Sequence, residues 1–310
     1  MQVVRWPEER PHPEARSVVT LGVFDGVHRG HAEVIRRAVA AAQARAATPT
    51  LVTFDRDPTA VLRHTAQPAI TSLEHKLRLF ERMGVRLCVV VQFTAEVARI
   101  PAEDFVRRLL HGALRAELVV VGEDCRFGHR RRGDVSMLRR LGRELGFEVQ
   151  SVQPVRVGGE PVSSTAIRQA VREGQIELAS RLLGRPFSLY GTVVPGEGLG
   201  KALGFPTANL DLHNETVPPA GVYACRVFRD GQPLPAIVSV GTQPTLHPER
   251  EGETVVEAHL LDYEGDLYGQ DLEVQFVGHI REQQVFAGRE ELRAQIARDV
   301  QAARAMLSEG

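Results

Sequence analysis

An α/β half built on a parallel sheet, followed by an antiparallel β-barrel half with a helical tail, is the fold class this chain predicts. Three observations carry that expectation. From Ser17 to Gly184, short apolar runs alternate with helix-spaced apolar residues, the rhythm of βαβ units. After Gly184-Arg185-Pro186 the helical patterns stop, and strand patterns punctuated by Gly and Pro follow one another. The 310 residues also exceed the roughly 250 at which single cores stop growing. The domain boundary is therefore set between residues 184 and 185, giving domains 1–184 and 185–310.

In order along the first half, Val18–Gly22, Thr50–Phe54, Leu87–Phe93, Glu117–Gly122 and Phe147–Val152 read as short buried strands. His31–Ala47, Ser72–Met83, Ala102–Leu114 and Asp134–Leu145 read as amphipathic helices between them, and Ser164–Glu173 and Ile176–Leu183 as two closing helices. In the second half Ser188–Val194, Gly221–Phe228, Ala236–Val240, Thr254–Leu261 and Asp271–Gly278 read as strands of a closed barrel of about six. Glu290–Leu307 reads as a helix packed on that barrel.

Composition narrows the function classes. Hydrophobic residues are 43% and charged residues 25%, which excludes a disordered chain. No apolar run approaches the ~20 residues a membrane span needs, and residues 1–16 lack the basic-then-apolar order of a leader. Cys88, Cys125 and Cys225 are too scattered for a disulfide framework or a CxxC metal site. A cytoplasmic enzyme is the expected class. The near-zero net charge hides an asymmetry: 29 basic against 21 acidic residues in 1–186, and 9 against 18 in 187–310. The basic half suits anionic small molecules, but no nucleic-acid reading element accompanies it, and Arg130–Arg132 reads as a solvated charge run. Only two lysines occur, Lys76 and Lys201; of these, the position of Lys201 is taken as the informative one.

The segment Gly22-Val23-Phe24-Asp25-Gly26-Val27-His28-Arg29-Gly30-His31 follows the first strand and opens the first helix. Its glycines let the backbone approach a phosphate chain at a helix N-terminus, and His28 and His31 share a face there as donors to phosphate oxygens. It is not a P-loop. This segment resembles the nucleotidyltransferase signature of the bacterial FAD synthetases, the bifunctional riboflavin kinase/FMN adenylyltransferases. Val121–Gly128 with Gly133-Asp134, and Ser163-Ser164-Thr165-Ala166-Ile167-Arg168, resemble two later segments of that family in the right order. The resemblance implies a Rossmann-like nucleotidyltransferase domain. His28, His31 and Arg168 would act in catalysis there. Gly22, Phe24, Asp25, Gly30, Asp124, Phe127, Ser164 and Thr165 would bind nucleotide or flavin. Two departures stand out: Asp55-Arg56-Asp57-Pro58 where the family commonly has D-P-H-P, and Cys125 where it usually has an aromatic residue.

Gly196–Asn209 offers four glycines and Lys201 just after a strand, a donor-rich loop able to fold over phosphates. Thr207 and Asn209 provide hard oxygen ligands two residues apart, suited to one Mg²⁺ completed by water and phosphate oxygens. Gly204-Phe205-Pro206-Thr207-Ala208-Asn209 matches the G-F-P-T-A-N signature of riboflavin kinases, and Gly221–Ala224, Gly241–Thr245, Val256–Asp262 and Leu267–Gly269 follow as in that family. Gln243 replaces its usual arginine. By this resemblance Glu257 is the catalytic base, Thr207 and Asn209 are the metal ligands, and Gly200, Lys201, Gly204, Phe205, Pro206 and Arg281 contact nucleotide or flavin. Phe286 fits the same flavin-side segment more weakly.

The resemblance spans residues ~17–306. It implies phosphorylation of riboflavin to FMN and adenylylation of FMN to FAD with release of pyrophosphate. ATP would be the co-substrate, Mg²⁺ the metal, and riboflavin, FMN and FAD the substrates and products. Small molecules are the expected partners, with no nucleic acid or membrane, and a homo-oligomer is allowed. The alternatives are a riboflavin kinase with a degenerate first domain and a non-catalytic flavin-storage protein; the latter would need neither histidine nor Glu257.

Overall fold

A computed structural model of the chain describes residues 1–58, 68–196, 200, 203–213, 215–229, 231–242 and 254–308. It forms two compact units, Met1–Pro68 with Leu73–Ser164, and Ala69–Ser72 with Thr165–Gly310.

The first unit runs β1 (Gln2–Trp6), β2 (Ser17–Leu21), α1 (Arg29–Ala44), β3 (Thr48–Phe54), α2 (Leu73–Arg82) and β4 (Leu87–Val91). It continues with α3, which opens at Ala102–Phe105 and passes into a π-helical stretch Val106–Ala113, then β5 (Ala116–Gly122), α4 (Val135–Leu145), β6 (Glu148–Val152) and the short pair β7 (Arg156–Val157) and β8 (Glu160–Pro161). The six long strands form one sheet in the order β1-β4-β3-β2-β5-β6, every pairing parallel. Such a sheet needs cover on both faces, which is why its strands read as unbroken apolar runs. Val19, Val52, Val89 and Val119 pack against Phe105 and Leu109 of α3 and Leu138 and Leu141 of α4. Their neighbours Leu51, Cys88 and Val90 turn the other way, onto Ile35 and Val39 of α1 and Leu79 and Phe80 of α2. Asp134 caps α4 by accepting the N–H of Met137 at 2.9 Å, and Gly146 closes that helix in the left-handed region that glycine tolerates.

β1 is absent from the sequence reading. It lies at the sheet edge, where only Val4 and Trp6 are buried, so no apolar run announces it.

The second unit contains α6 (Ile176–Leu183) and nearly all of α5 (Ser164–Arg172), followed by β9 (Ser188–Val194), β10 (Ala208–Asp211), β11 (Gly221–Arg229), β12 (Gln232–Thr242), β13 (Thr254–Leu260), β14 (Asp271–Arg281) and α7 (Arg289–Ser308). Six antiparallel strands close in the order β10-β13-β12-β11-β14-β9, with β9 and β10 pairing to complete the ring. β10 is absent from the sequence reading; its first two residues, Ala208 and Asn209, are the last two of the Gly196–Asn209 segment. Val238, Val240, Val256, Ala258, Leu272 and Val274 are fully buried. α7 lays Ile296, Val300, Ala303 and Leu307 on Ala224, Ile237 and Ile280, and Arg281 clasps Asp299 of that helix with Nε at 3.0 Å and Nη2 at 2.8 Å.

Candidate active sites

In a parallel sheet, ligands enter beyond the carboxyl ends of the strands, where the connections diverge. Here the chain steps outward from β2 through β3 to β4 and then returns to β5 and β6, so β2 and β5 flank the switch point. Gly22–His31 leaves the end of β2 and Gly122–Gly128 leaves the end of β5. Two of the three segments singled out in the first half thus emerge side by side at the one crevice.

His28 is the N-cap of α1. Its Nδ1 accepts the backbone N–H groups of Gly30 and His31 at 3.2 and 3.3 Å, so in the neutral ring the proton sits on Nε2. A side chain at position 30 would press on the His28 ring. His31 stacks on His28 with ring centres 3.6 Å apart. Phe24 is buried beneath the turn, edge-on to His31 at 5.3 Å and to Phe80 of α2 at 5.8 Å, so its ring supports the turn from below. The Asp25 carbonyl accepts the Ser164 hydroxyl at 2.9 Å, which brings Ser164 of the third segment to the first. Thr165 and Arg168 follow on α5 and belong to the second unit.

After β5, Asp124 folds its carboxylate back over Gly122, where a Cβ would lie 2.9 Å from Oδ1. Phe127 is buried, bridges Gly133 and covers it with its ring. Burial pushes the Cys125 thiol up to about 12, which keeps it protonated and unreactive. Asp55 accepts the Phe93 N–H at 2.9 Å and Arg56 lies beside it, so the departing segment retains a structural use for its first carboxylate. Lys76, set aside in the sequence reading, is buried on α2 and donates to the Val23 carbonyl at 3.2 Å. Its signal was there: with Leu73, Leu77 and Phe80 it sits on the helical spacing of the apolar stripe.

On the barrel, the register of β10 and β13 sets Asn209 directly opposite Glu257. Both lie on the partly exposed outer face, since Ala208, Leu210, Val256, Ala258 and Leu260 take the inward positions. His259, also on the outer face, meets the Pro206 carbonyl at 2.8 Å and the Phe205 ring edge-on at 5.5 Å, holding the turn that precedes Thr207. Nothing local in the sequence assigns His259 that task, because Pro206 lies 53 residues earlier. Gly204 makes this turn in the left-handed region, φ 86°.

Two glycines frame the oxygen ligands. A Cβ on Gly196 would run into the Asn209 carboxamide, meeting Nδ2 first, with Cγ at 2.5 Å and Oδ1 at 3.0 Å, and one on Gly200 would lie 3.1 Å from Oγ1 of Thr207. The donor pair is made of hard oxygens and the cradle is built to admit them, which fits a small divalent cation sharing its other positions with water and phosphate. Among the described residues no cluster of three or more His, Cys, Asp and Glu could hold a metal instead. Lys201 and Gln243–Thr245 lie outside the described residues. Arg281 is engaged by Asp299, and Phe286 stands 5.6 Å from its guanidinium. A cavity of about 620 Å³ opens at the opposite end of the sheet, among Gln2, Thr48 and Leu87 at the starts of β1, β3 and β4, and contains none of these residues.

Comparison with known proteins matches both halves of the chain to families. The family model described as FAD synthetase matches residues 10–166, and that described as riboflavin kinase matches 183–307. The bifunctional riboflavin kinase/FMN adenylyltransferase of Escherichia coli K12 is 40% identical over 94% of this chain and 93% of its own. That of Bacillus subtilis 168 is 34% identical over 94% and 92%. A solved structure from Streptococcus pneumoniae, described as a macrolide-efflux protein, superposes with a TM-score of 0.83 at 30% identity, covering 98% of this chain and 99% of that one. Among the described residues, no helix is long and apolar enough to cross a membrane. The chain belongs to the bifunctional riboflavin kinase/FMN adenylyltransferase family.

Proposed function

We propose that the chain carries out two successive reactions, riboflavin and ATP giving FMN and ADP, then FMN and a second ATP giving FAD and pyrophosphate. The division of labour is residues 1–184 for adenylyl transfer and 185–310 for phosphorylation. The observation that carries the kinase reading is the cross-strand pair Asn209 and Glu257, a neutral oxygen ligand and a carboxylate on adjacent strands and one face.

In the kinase half, Glu257 accepts the proton of the terminal ribityl hydroxyl as its oxygen attacks the γ-phosphorus of ATP. Thr207 Oγ1 and the Asn209 carboxamide oxygen are the groups that would hold Mg²⁺, which when bound neutralises phosphate charge. His259 fixes the Phe205–Pro206 turn on which Thr207 depends. In the adenylyltransferase half, a phosphate oxygen of FMN displaces pyrophosphate from the α-phosphorus of ATP. His28, donating through Nε2, and His31 stabilise the charge that develops on the phosphates. The hydroxyls and guanidinium of Ser164, Thr165 and Arg168 serve as phosphate-binding groups. A cytoplasmic location is part of the same reading, supported by three cysteines that form no disulfide with one another. Small molecules are its partners, and a homo-oligomer is compatible with it.

The test is incubation with riboflavin, ATP and Mg²⁺ followed by chromatography of the flavins. FMN together with FAD is expected. FMN alone would restrict the chain to kinase activity, and neither product would leave a flavin-binding role.

A further inference from the structure

Lys76 is one of two lysines in a chain whose other 36 basic residues are arginines, and it is buried. A buried cation needs a partner for every N–H it brings, and an ammonium brings three where a guanidinium brings five. The site therefore calls for a compact charge. The Lys76 Nζ donates to the Val23 carbonyl at 3.2 Å, and the Thr53 hydroxyl donates to the same oxygen at 3.2 Å. One helical turn on, Phe80 meets the Phe24 ring. One face of α2 thus grips two consecutive residues of the turn, Val23 by charge and Phe24 by packing.

The turn needs such a grip. Phe24 and Val27 both lie in the left-handed region, at φ 53° and 42°, conformations that persist in non-glycine residues only where the surroundings over-determine them. His28 follows immediately. Burial pushes the Lys76 ammonium below its usual range, and the fields of Asp25, then Cys88, Asp57 and Asp55, oppose that push.

We infer that Lys76 is a positioning residue for adenylyl transfer, fixing the turn that presents His28 by holding the Val23 carbonyl. The inference rests on the assignment of His28 to that reaction. Lys76→Met keeps the length and removes the charge. It is expected to lower kcat/KM for FAD formation from FMN about 10- to 100-fold, the usual cost of losing a hydrogen bond from a charged group. Riboflavin phosphorylation should stay within about twofold, since α2 belongs to the other unit. Trp6, the single tryptophan, is buried in the same unit as α2, so its emission checks that the unit is folded.

The same comparison is made on His28→Asn, which retains a capping oxygen, at high enzyme concentration. If Lys76 acts through the turn, its replacement should cost less than about twofold there. Wild-type adenylylation by Lys76→Met, or an undiminished loss on His28→Asn, overturns the inference. A fully active His28→Asn removes the histidine assignment and this inference with it. A crippled His28→Asn beside a fully active Lys76→Met overturns the lysine inference alone. Should Lys76→Met lose native Trp6 emission, Lys76→Gln takes its place; loss of native emission in both assigns the lysine to folding and overturns its positioning role.

Discussion

Adding one methyl group at position 196 should cripple riboflavin phosphorylation while leaving the fold intact. Gly196 does not occupy the left-handed region, so alanine meets no backbone strain there. The conflict is steric. The new Cβ would overlap Asn209 Nδ2 and stand 2.5 Å from Cγ, whereas ordinary contact begins near 3.4 Å, so the carboxamide must retreat by at least about 1 Å. A misplacement of that size in a group that orients substrate costs up to ~10²-fold, and disturbing the support of a metal ligand costs about 10- to 100-fold. Gly196→Ala is therefore expected to lose about 10- to 100-fold in kcat/KM for FMN formation, equivalent to roughly 1.4–2.7 kcal/mol. The assay is steady-state FMN production across a Mg²⁺ titration, with FAD formation from supplied FMN as the internal control. The variant should need more Mg²⁺, with the control unchanged and the melting temperature nearly so. Wild-type phosphorylation at every Mg²⁺ concentration would refute the reasoning, because the overlap would then be relieved without moving a ligand that matters.

Glu257→Gln preserves shape and removes proton acceptance, so calorimetry should find riboflavin and ATP bound normally while phosphoryl transfer slows about 10²- to 10⁴-fold. The His28→Ala/His31→Ala double variant should accumulate FMN from riboflavin with little FAD, as read by flavin chromatography; equal loss of both products would point to a shared site. Asp299→Ala strands the largely buried Arg281 and should cost about 3–5 kcal/mol in urea unfolding, whereas Arg281→Met with Asp299→Leu should come close to neutral. A fragment Arg185–Gly310 should make FMN. It should be less stable than Thr165–Gly310 by about 1 kcal/mol in the same assay, because Ser180, whose hydroxyl accepts the Phe187 N–H at 2.9 Å, is missing from it.

Much of this architecture was legible in the residues because burial on both faces writes an unbroken apolar run. β2 to β5 carry such runs, and β1 does not, being half exposed at an edge. β10 escaped for a different reason: four residues at the end of a glycine-rich segment carry too short an alternation to be seen, yet they close the ring. The signature residues of the sites were legible as strings. What supports them was not, since it depends on partners far away in sequence. Lys76 acquires a meaning only when Val23, 53 residues earlier, is placed beside it, and His259 only beside Pro206. Nor does any local pattern foretell that Ala69–Ser72 packs with the second unit, where the Ser72 N–H reaches the buried Glu215 at 2.6 Å.

β13 alternates strictly between inward and outward residues, and the two sets answer to different pressures. Val256, Ala258 and Leu260 fill the barrel, so replacing them changes how much folded protein exists. Glu257 and His259 face out toward Asn209 and Pro206, so on the proposed assignment replacing them changes what each folded molecule does. Because the proposed site sits on the outside of a closed ring, the interior is free to exchange one set of apolar side chains for another without the site being consulted. Relatives of this chain can therefore drift in the core and hold the same reaction, and abundance and turnover can be tuned by substitutions only one residue apart.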